Sequence, residues 1–290
     1  MTTMLIDSPI TAARLARHVL QALLDEVTLT PKPGLVDLRS RGSHDDLNWA
    51  LMCHSACALQ PTFEALAEAG FNSAGDDALR QQIGRIGRAG EAAMMRTTGG
   101  VNTHRGAIWA LGLLVTAAAQ LNAQGATLAP AAVAARAGGL ARLHDRGAPA
   151  DSGNKGALAC RQYQVGGARG QAQAGFPLVL AVGLPALRAS RERGDNETTA
   201  RLNALLAIVA QLDDTCVLSR GGAAALAATQ AGAARVLAAG GAGSQAGGTA
   251  LLALEADVLA RRVSPGGAAD LLAATLLLDR LDNEEHHGKA

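Results

Sequence analysis

Two basic residues begin an apolar run in the segment 99–112, GGVNTHRGAIWALG. Asn102 and Thr103 are residue types that commonly cap a helix, and the apolar spacing after them continues one. His104 and Arg105 would then lie in the first turn, where the backbone already carries partial positive charge. We therefore interpret this helix start as an anion site, with Asn102, His104 and Arg105 as the residues that contact the ligand.

Three more cations stand at turns rich in proline or glycine. Lys32 lies in TPKPGLVD, Arg169 in GGARG and Arg220 in DDTCVLSRGG. Prolines make the first turn rigid, and the backbone N–H groups around Gly167 can cradle a phosphate. Cations beside helix starts suit a polyphosphate, although each turn alone is also consistent with a simple connector.

Acidic pairs occupy similar joints. Asp45 and Asp46 follow His44 in GSHDD, and Asp213 and Asp214 begin DDTCVLSRGG. Carboxylates of this kind can hold Mg²⁺ together with substrate phosphates, or they can simply favour the start of the next helix. Asp270, one turn into SPGGAAD, is either a further site acid or a solvated residue.

Composition narrows the class of partner. The 290 residues carry a net charge of +1 and only 2% aromatic residues, which predicts no nucleic acid partner. The sequence shows no secretory signal and no uninterrupted apolar stretch that predicts a membrane span. The four cysteines are too few for a disulfide framework, so we expect a cytoplasmic protein without membrane association.

Alanine and leucine dominate, and period-2 alternation is almost absent, so the sequence predicts an all-α fold. We expect one multi-helix domain over residues 1–290, a helical bundle whose active-site cleft lies at helix ends. Ser264 is expected to cap the last helix, with Pro265 at its first position and a frayed tail at 283–290. The predicted helices are 10–28, 47–69, 78–96, 99–122, 130–143, 175–190 (bent at Pro185), 197–213, 221–239, 248–262 and 265–281.

The ordered motifs resemble the triphosphoribosyl-dephospho-CoA synthases over about 26–274. The matching stretches are E-x5-KPGLVD, GSHDD, VNTHRGAIWALG, GGARGQAQAGFP, DDT followed by RGG, and SPGGAADLLA. Their wording favours the malonate decarboxylase branch over the citrate lyase branch. The chain departs from the family at Gln171, where Glu is usual, and at Cys216, where Asn is more common.

The resemblance implies an all-α enzyme that moves the 5-triphosphoribosyl group of ATP to the 2′-hydroxyl of 3′-dephospho-CoA and releases adenine. The product is the prosthetic-group precursor of an acyl carrier protein, handed on by a phosphoribosyl-dephospho-CoA transferase. A homodimer is a further expectation, and Mg²⁺ is the expected cofactor. The expected metal ligands are Glu26, Asp45 and Asp214; the expected catalytic residues are His44, Asp45, Asp46 and Asp213; the expected ATP-binding residues are Lys32, Asn102, His104, Arg105, Gly167, Arg169 and Arg220.

Two other classes stay open from the residues alone. One is a different nucleotide N-glycosyl enzyme, such as a protein like the ADP-ribosyl hydrolases, which would release its ribose product to water. The other is a non-catalytic partner of a carrier protein, in which the glycine motifs are only helix caps. The requirement for dephospho-CoA separates the three.

Overall fold

Helices provide all the regular structure of residues 10–149 and 153–287, the part of the chain that the computed structural model describes. These ranges contain twelve α-helices and no strand, which confirms the all-α prediction. The helices are α1 (Ala12–Thr28), α2 (Trp49–Phe71), α3 (Asp76–Thr97), α4 (Arg105–Ala123), α5 (Pro130–Arg142), α6 (Lys155–Tyr163), α7 (Gly167–Gln173), α8 (Leu184–Glu192), α9 (Glu197–Val209), α10 (Thr215–Ala238), α11 (Gln245–Ala260) and α12 (Gly266–His287).

The core is built mainly from alanine and leucine side chains of α1, α2, α4, α9 and α12. The predicted stripe on α1 is buried as expected, with Leu15, Val19 and Leu23 at most 1% exposed. In the described ranges, α4 is the one helix long and apolar enough to cross a membrane, but 72% of that stretch is buried inside the protein. Helix α4 is therefore packed as a central core helix.

Several helix boundaries differ from the prediction. Helix α10 begins at Thr215 rather than at 221, because the carboxylate of Asp214 accepts the Cys216 N–H at 2.8 Å. Gly222, with a φ of 69°, interrupts the helical geometry inside α10, so the predicted helix 221–239 corresponds to the segment after this break. Helix α6 was missed.

The segment around the predicted bend is also different. A π-helical turn spans Val179–Gly183 and leads into α8, whose second residue is Pro185. Since proline lacks an N–H group, the usual hydrogen-bond ladder cannot continue through it, and the wider turn precedes it. The prediction of a frayed tail at 283–290 is wrong for residues 283–287, which belong to α12. Residues 288–290 lie outside the described part.

Glycine allows α2 and α4 to pack closely. Gly70 is buried on α2, and a Cβ atom there would lie 2.5 Å from the Thr116 carbonyl oxygen of α4. The Ala119 Cβ would be 2.8 Å away. The backbones of the two helices therefore approach too closely for any larger residue at this position.

We predict that Gly70→Ala lowers the free energy of unfolding by about 1–3 kcal/mol, because the added methyl group overpacks the interface between α2 and α4. Gly87→Ala on α3 is the matched control, since a Cβ atom there meets nothing within 4 Å. That variant should gain about 0.5–1 kcal/mol from helix propensity. Urea denaturation measures both, and equal stabilities for the two variants would contradict the packing.

Candidate active site

A buried ion pair joins the end of α1 to the loop that follows it. The ammonium group of Lys32 donates a hydrogen bond to the carboxylate of Glu26, and the two residues are 2% and 5% exposed. Two charges this deeply buried are tolerated only when they are paired. The pair therefore fixes both side chains, as the prediction of a rigid turn at Lys32 requires.

Asp37 organises the same loop. Its carboxylate accepts hydrogen bonds from the Lys32 N–H at 3.1 Å, the Thr30 hydroxyl at 2.8 Å, and the N–H groups of Arg39 and Ser40, both at 2.8 Å. Burial alone would raise the pKa of Asp37, but these hydrogen bonds hold the pKa below its ordinary value. The loop is thereby held in one shape around Lys32.

Asp214 caps two helices at once. One carboxylate oxygen accepts the Cys216 N–H of its own helix, and the other accepts the Ala268 N–H of α12 at 3.0 Å. Burial raises the pKa of Asp214 in spite of these bonds. The predicted cap at Ser264 is wrong, because the Ser264 hydroxyl bonds to the His44 ring instead, at 3.0 Å.

Asp270 repeats this arrangement at the start of α4. Its carboxyl group packs directly against Gly106, where a Cβ atom would overlap it, and accepts the Ala107 N–H. Burial, followed by the charges of Glu26 and Asp214, raises the pKa of Asp270 well above its ordinary value. A carboxyl group of the protein itself therefore occupies the first turn of α4, where the sequence predicts a ligand anion.

His104 faces this cluster as a neutral ring. It is 3% exposed, and burial followed by the Lys32 charge lowers its pKa to about 4. The prediction that His104 supplies positive charge is therefore wrong, since an imidazole with this pKa is uncharged near pH 7.

A hydroxyl pair holds one side of the His104 ring. Nδ1 lies 3.1 Å from the Ser55 hydroxyl, which lies 2.6 Å from the Thr103 hydroxyl. Nε2 is buried without a partner in residues 10–149 and 153–284. Because buried polar atoms normally have a hydrogen-bond partner, Nε2 is a candidate contact for a polar group of the substrate.

Arg105 and Asn102 lie on the outer side of the turn that begins α4. The Arg105 guanidinium donates to Glu91 of α3 at 3.1 Å, and the Asn102 side chain accepts the Arg105 N–H at 3.2 Å. Arg105 therefore already has an anionic partner. A direct contact between Asn102 or Arg105 and ATP stays a prediction.

His44 links three parts of the fold. The Arg220 guanidinium donates to His44 Nδ1 at 3.2 Å, so the ring proton is on Nε2 and is donated to Ser264. Burial and then the Arg220 charge lower the pKa of His44 to about 4. These contacts tie His44 and Arg220 to the start of α12, and their predicted roles in catalysis and ATP binding remain untested.

The remaining predicted acids lie at the surface. Asp45 pairs with Arg262 at 2.8 Å and its side chain is 90% exposed, while the Asp46 side chain is 66% exposed. Asp213 is exposed as well. The set of Glu26, Asp45 and Asp214 does not assemble, because no group of three or more His, Cys, Asp or Glu side chains in the described ranges could hold a metal ion.

The GGARG motif forms a short helix rather than a phosphate loop. Gly167 has a φ of 56°, and a Cβ atom there would lie 2.6 Å from the Cys160 sulfur, so glycine is needed for packing. Helix α7 has only 7 residues, and its Arg169 is exposed. Arg80 of α3 lies within electrostatic reach of Arg169.

The structure thus brings together Glu26, Lys32, His104 and Asp214 of the predicted set and adds Asp270 and Ser55. The sequence does not distinguish Asp270 from a solvated acid, because only its packing against α4 does so. Ser55 carried no signal, since a serine within an apolar helix is common. A carboxyl group able to hold a proton, an ionised pair and a neutral imidazole are the components of acid–base chemistry.

We predict that His104 makes the fold sensitive to acid. Its pKa of about 4 in the folded state lies below the ordinary 6.5, so the unfolded chain binds the proton more readily. The resulting stability is complete above pH 6.5 and is lost as the pH falls toward 4, at up to about 1.4 kcal/mol per pH unit. Urea denaturation at several pH values should show a smaller slope for His104→Gln over this range.

His144→Gln is the matched control, because His144 is exposed on the α5–α6 connection. That variant should keep the pH dependence of the parent protein. An unchanged slope in His104→Gln would contradict the neutral, buried state of His104.

Comparison with known proteins agrees with the motifs. The family described as CitG, ATP:dephospho-CoA triphosphoribosyl transferase, matches residues 12–289. The 2-(5″-triphosphoribosyl)-3′-dephosphocoenzyme-A synthase of Klebsiella pneumoniae is 57% identical over 92% of this chain and 94% of its own. Probable synthases of the same name are 56% identical in Stutzerimonas stutzeri, over 95% and 94% of the two chains, and 55% identical in Azotobacter vinelandii, over 96% and 94%.

No solved structure gives a significant match to the chain. The family match and these identities extend over nearly the whole sequence, including every element around Lys32 and Asp270. The chain therefore belongs to the ATP:dephospho-CoA triphosphoribosyl transferase family and is a triphosphoribosyl-dephospho-CoA-synthesising enzyme.

Proposed function

We propose that the chain transfers the 5-triphosphoribosyl group of ATP to the 2′-hydroxyl of 3′-dephospho-CoA at the cluster around Asp270. The product would be 2′-(5″-triphosphoribosyl)-3′-dephospho-CoA, the precursor of the malonate decarboxylase prosthetic group. Motif wording favours that enzyme over citrate lyase. The observation that carries the proposal is the buried Lys32–Glu26 pair beside a carboxyl group whose pKa is raised.

The reaction breaks the C1′–N9 bond of ATP and forms a C1′–O bond to the acceptor. As in other glycosyl transfers, positive charge develops on the ribose, and the leaving base departs more easily when it is protonated. A complete site therefore needs a carboxylate beside the ribose, a base for the 2′-hydroxyl proton and an acid for adenine.

Asp270 is our candidate for the acid. Its raised pKa allows the carboxyl group to hold a proton, which it would give to a ring nitrogen of adenine. The Glu26 carboxylate, within electrostatic reach of Asp270, would stabilise the ribose cation and accept the proton of the 2′-hydroxyl. Lys32 keeps Glu26 in place and adds a positive charge for the triphosphate.

His104 would serve as a neutral hydrogen-bonding group. Its free Nε2 atom lies within electrostatic reach of the Lys32 ammonium group, while the hydroxyl groups of Ser55 and Thr103 hold the opposite side of the ring. A neutral ring suits contact with a sugar hydroxyl group or a base nitrogen. It does not suit charge neutralisation of a phosphate.

Mg²⁺ is not assigned to a protein site. The predicted ligands Glu26, Asp45 and Asp214 do not fit, since Asp214 caps two helices and Asp45 pairs with a surface arginine. No step of the proposed mechanism runs through the metal.

The wider setting belongs to the same proposal. We propose a cytoplasmic enzyme that acts as one domain over residues 1–290, supported by a core cluster that extends from α1 to α12. Hand-over of the product to a phosphoribosyl-dephospho-CoA transferase, delivery to an acyl carrier protein, and assembly as a homodimer complete the expectation.

The test is adenine release from ATP, followed by chromatography, with and without 3′-dephospho-CoA. We predict release only when both substrates are present. Lys32→Met should lower turnover by about 10²-fold or more, because a preorganised charge at the reacting centre is lost. Lys155→Met removes an exposed lysine at the start of α6 and should leave turnover unchanged.

The alternatives give different results. A hydrolase of the ADP-ribosyl type would release its ribose product without dephospho-CoA, and a non-catalytic partner would release no adenine at all. Either result would contradict the proposed transfer.

A further inference from the structure

A buried arginine on α3 stacks against the only tryptophan of α4. Arg80 is 6% exposed, and its guanidinium carbon lies 5.4 Å from the centre of the Trp109 ring. Its Nε donates to the Leu143 carbonyl at 3.3 Å. A guanidinium group stays protonated in proteins, so this contact places a permanent positive charge beside α4.

One carboxylate serves two arginines here. Asp145 Oδ2 lies 2.6 Å from Arg88 Nη1 and 3.5 Å from Arg80 Nη1. Gly84 lies between the two arginines on α3, and a Cβ atom there would overlap the Asp145 carboxylate. The absence of a side chain at Gly84 therefore permits this shared contact.

A third cation completes the cluster without an anion of its own. Arg169 is exposed on α7 and has no hydrogen bond or ion pair within the described ranges, while its charge acts on Arg80. Arg80 and Arg88 thus share the carboxylate of Asp145, and Arg169 adds its charge to that of Arg80, which leaves an excess of positive charge. The buried Trp109 Nε1–H also lacks an acceptor among residues 10–149 and 153–284.

The geometry points to an oligophosphate subsite formed by Arg80, Arg88, Arg169 and the Trp109 N–H. This inference rests on the proposed function, whose two substrates carry a triphosphate and a diphosphate. Trp109 follows Ala107, the N–H donor to Asp270, by two residues, which is about 3 Å along the α4 axis. The subsite and the cluster around Asp270 therefore share the first turns of α4, with Trp109 about 200° around the helix axis from Ala107.

The subsite would also supply the positive charges for substrate phosphates, which the start of α4 does not provide. His104 is neutral, Arg105 pairs with Glu91, and Asp270 occupies the helix start, so none of these offers a free cation. Arg169 and Arg88 offer guanidinium groups that can bind phosphate oxygens in a bidentate manner.

Trp109 provides a direct probe. The chain has two tryptophans, and Trp49→Phe leaves Trp109 as the only one. In that background, titration with inorganic triphosphate should change the Trp109 fluorescence. Arg169→Ala and Arg88→Ala should each raise the dissociation constant by about tenfold, the loss expected for a charge-assisted hydrogen bond.

Arg85→Ala is the matched control, because it removes an exposed arginine from the same helix as Arg88. This variant should bind triphosphate like the parent. If the parent binds no triphosphate or dephospho-CoA, or if both Arg169→Ala and Arg88→Ala bind every ligand like the control, the subsite is overturned.

Calorimetry with ATP and with 3′-dephospho-CoA identifies the source of the phosphates. Weaker binding of ATP and inorganic triphosphate assigns the triphosphate, whereas weaker binding of dephospho-CoA alone assigns its diphosphate; both outcomes support the subsite. These are binding measurements, so they stand apart from the reaction. If the parent protein releases no adenine but the arginine variants still lose triphosphate affinity, the subsite stands and the proposed transfer is refuted.

Discussion

Carboxyl groups that bind the N–H groups at helix starts hold separate helices together around the candidate site. Asp214 binds N–H groups of α10 and α12, and Asp270 of α12 binds the start of α4. Each bond satisfies N–H groups that a helix start leaves without a partner, and each carboxylate benefits from the helix dipole. Three helix starts are thereby fixed relative to one another, and Asp214, Asp270 and His104 lie at or beside them.

The same arrangement creates the chemistry. Burial raises the pKa values of both Asp214 and Asp270, and the charges of Glu26 and Asp214 raise that of Asp270 further. Lys32 offsets part of that repulsion through its ion pair with Glu26. The cluster therefore combines a charged pair with carboxyl groups that can hold a proton. Environments that give neighbouring carboxyl groups different pKa values are typical of acid–base sites.

Helix content, most helix positions and the family could be predicted from the sequence, because alanine-rich periodicity and ordered motifs are local signals. The carboxyl group at the start of α4 could not be predicted, since Asp270 is 163 residues after Ala107 and meets it only in the folded chain. The GSHDD motif predicts a site role for Asp45, yet the side chain faces solvent beside Arg262. The neutral state of His104 could not be predicted either, because burial beside Lys32 determines it.

The most direct test compares variants of two acidic residues, one inside the cluster and one at the surface. The measured quantity is the rate of adenine release at saturating concentrations of both substrates. Asp270→Asn keeps an oxygen that can accept the Ala107 N–H but loses the acidic proton, so kcat should fall by about 10²-fold or more. Asp45→Asn should stay within about twofold of the parent, as expected for an exposed residue. Unchanged turnover in Asp270→Asn, or an equal loss in Asp45→Asn, would contradict the account.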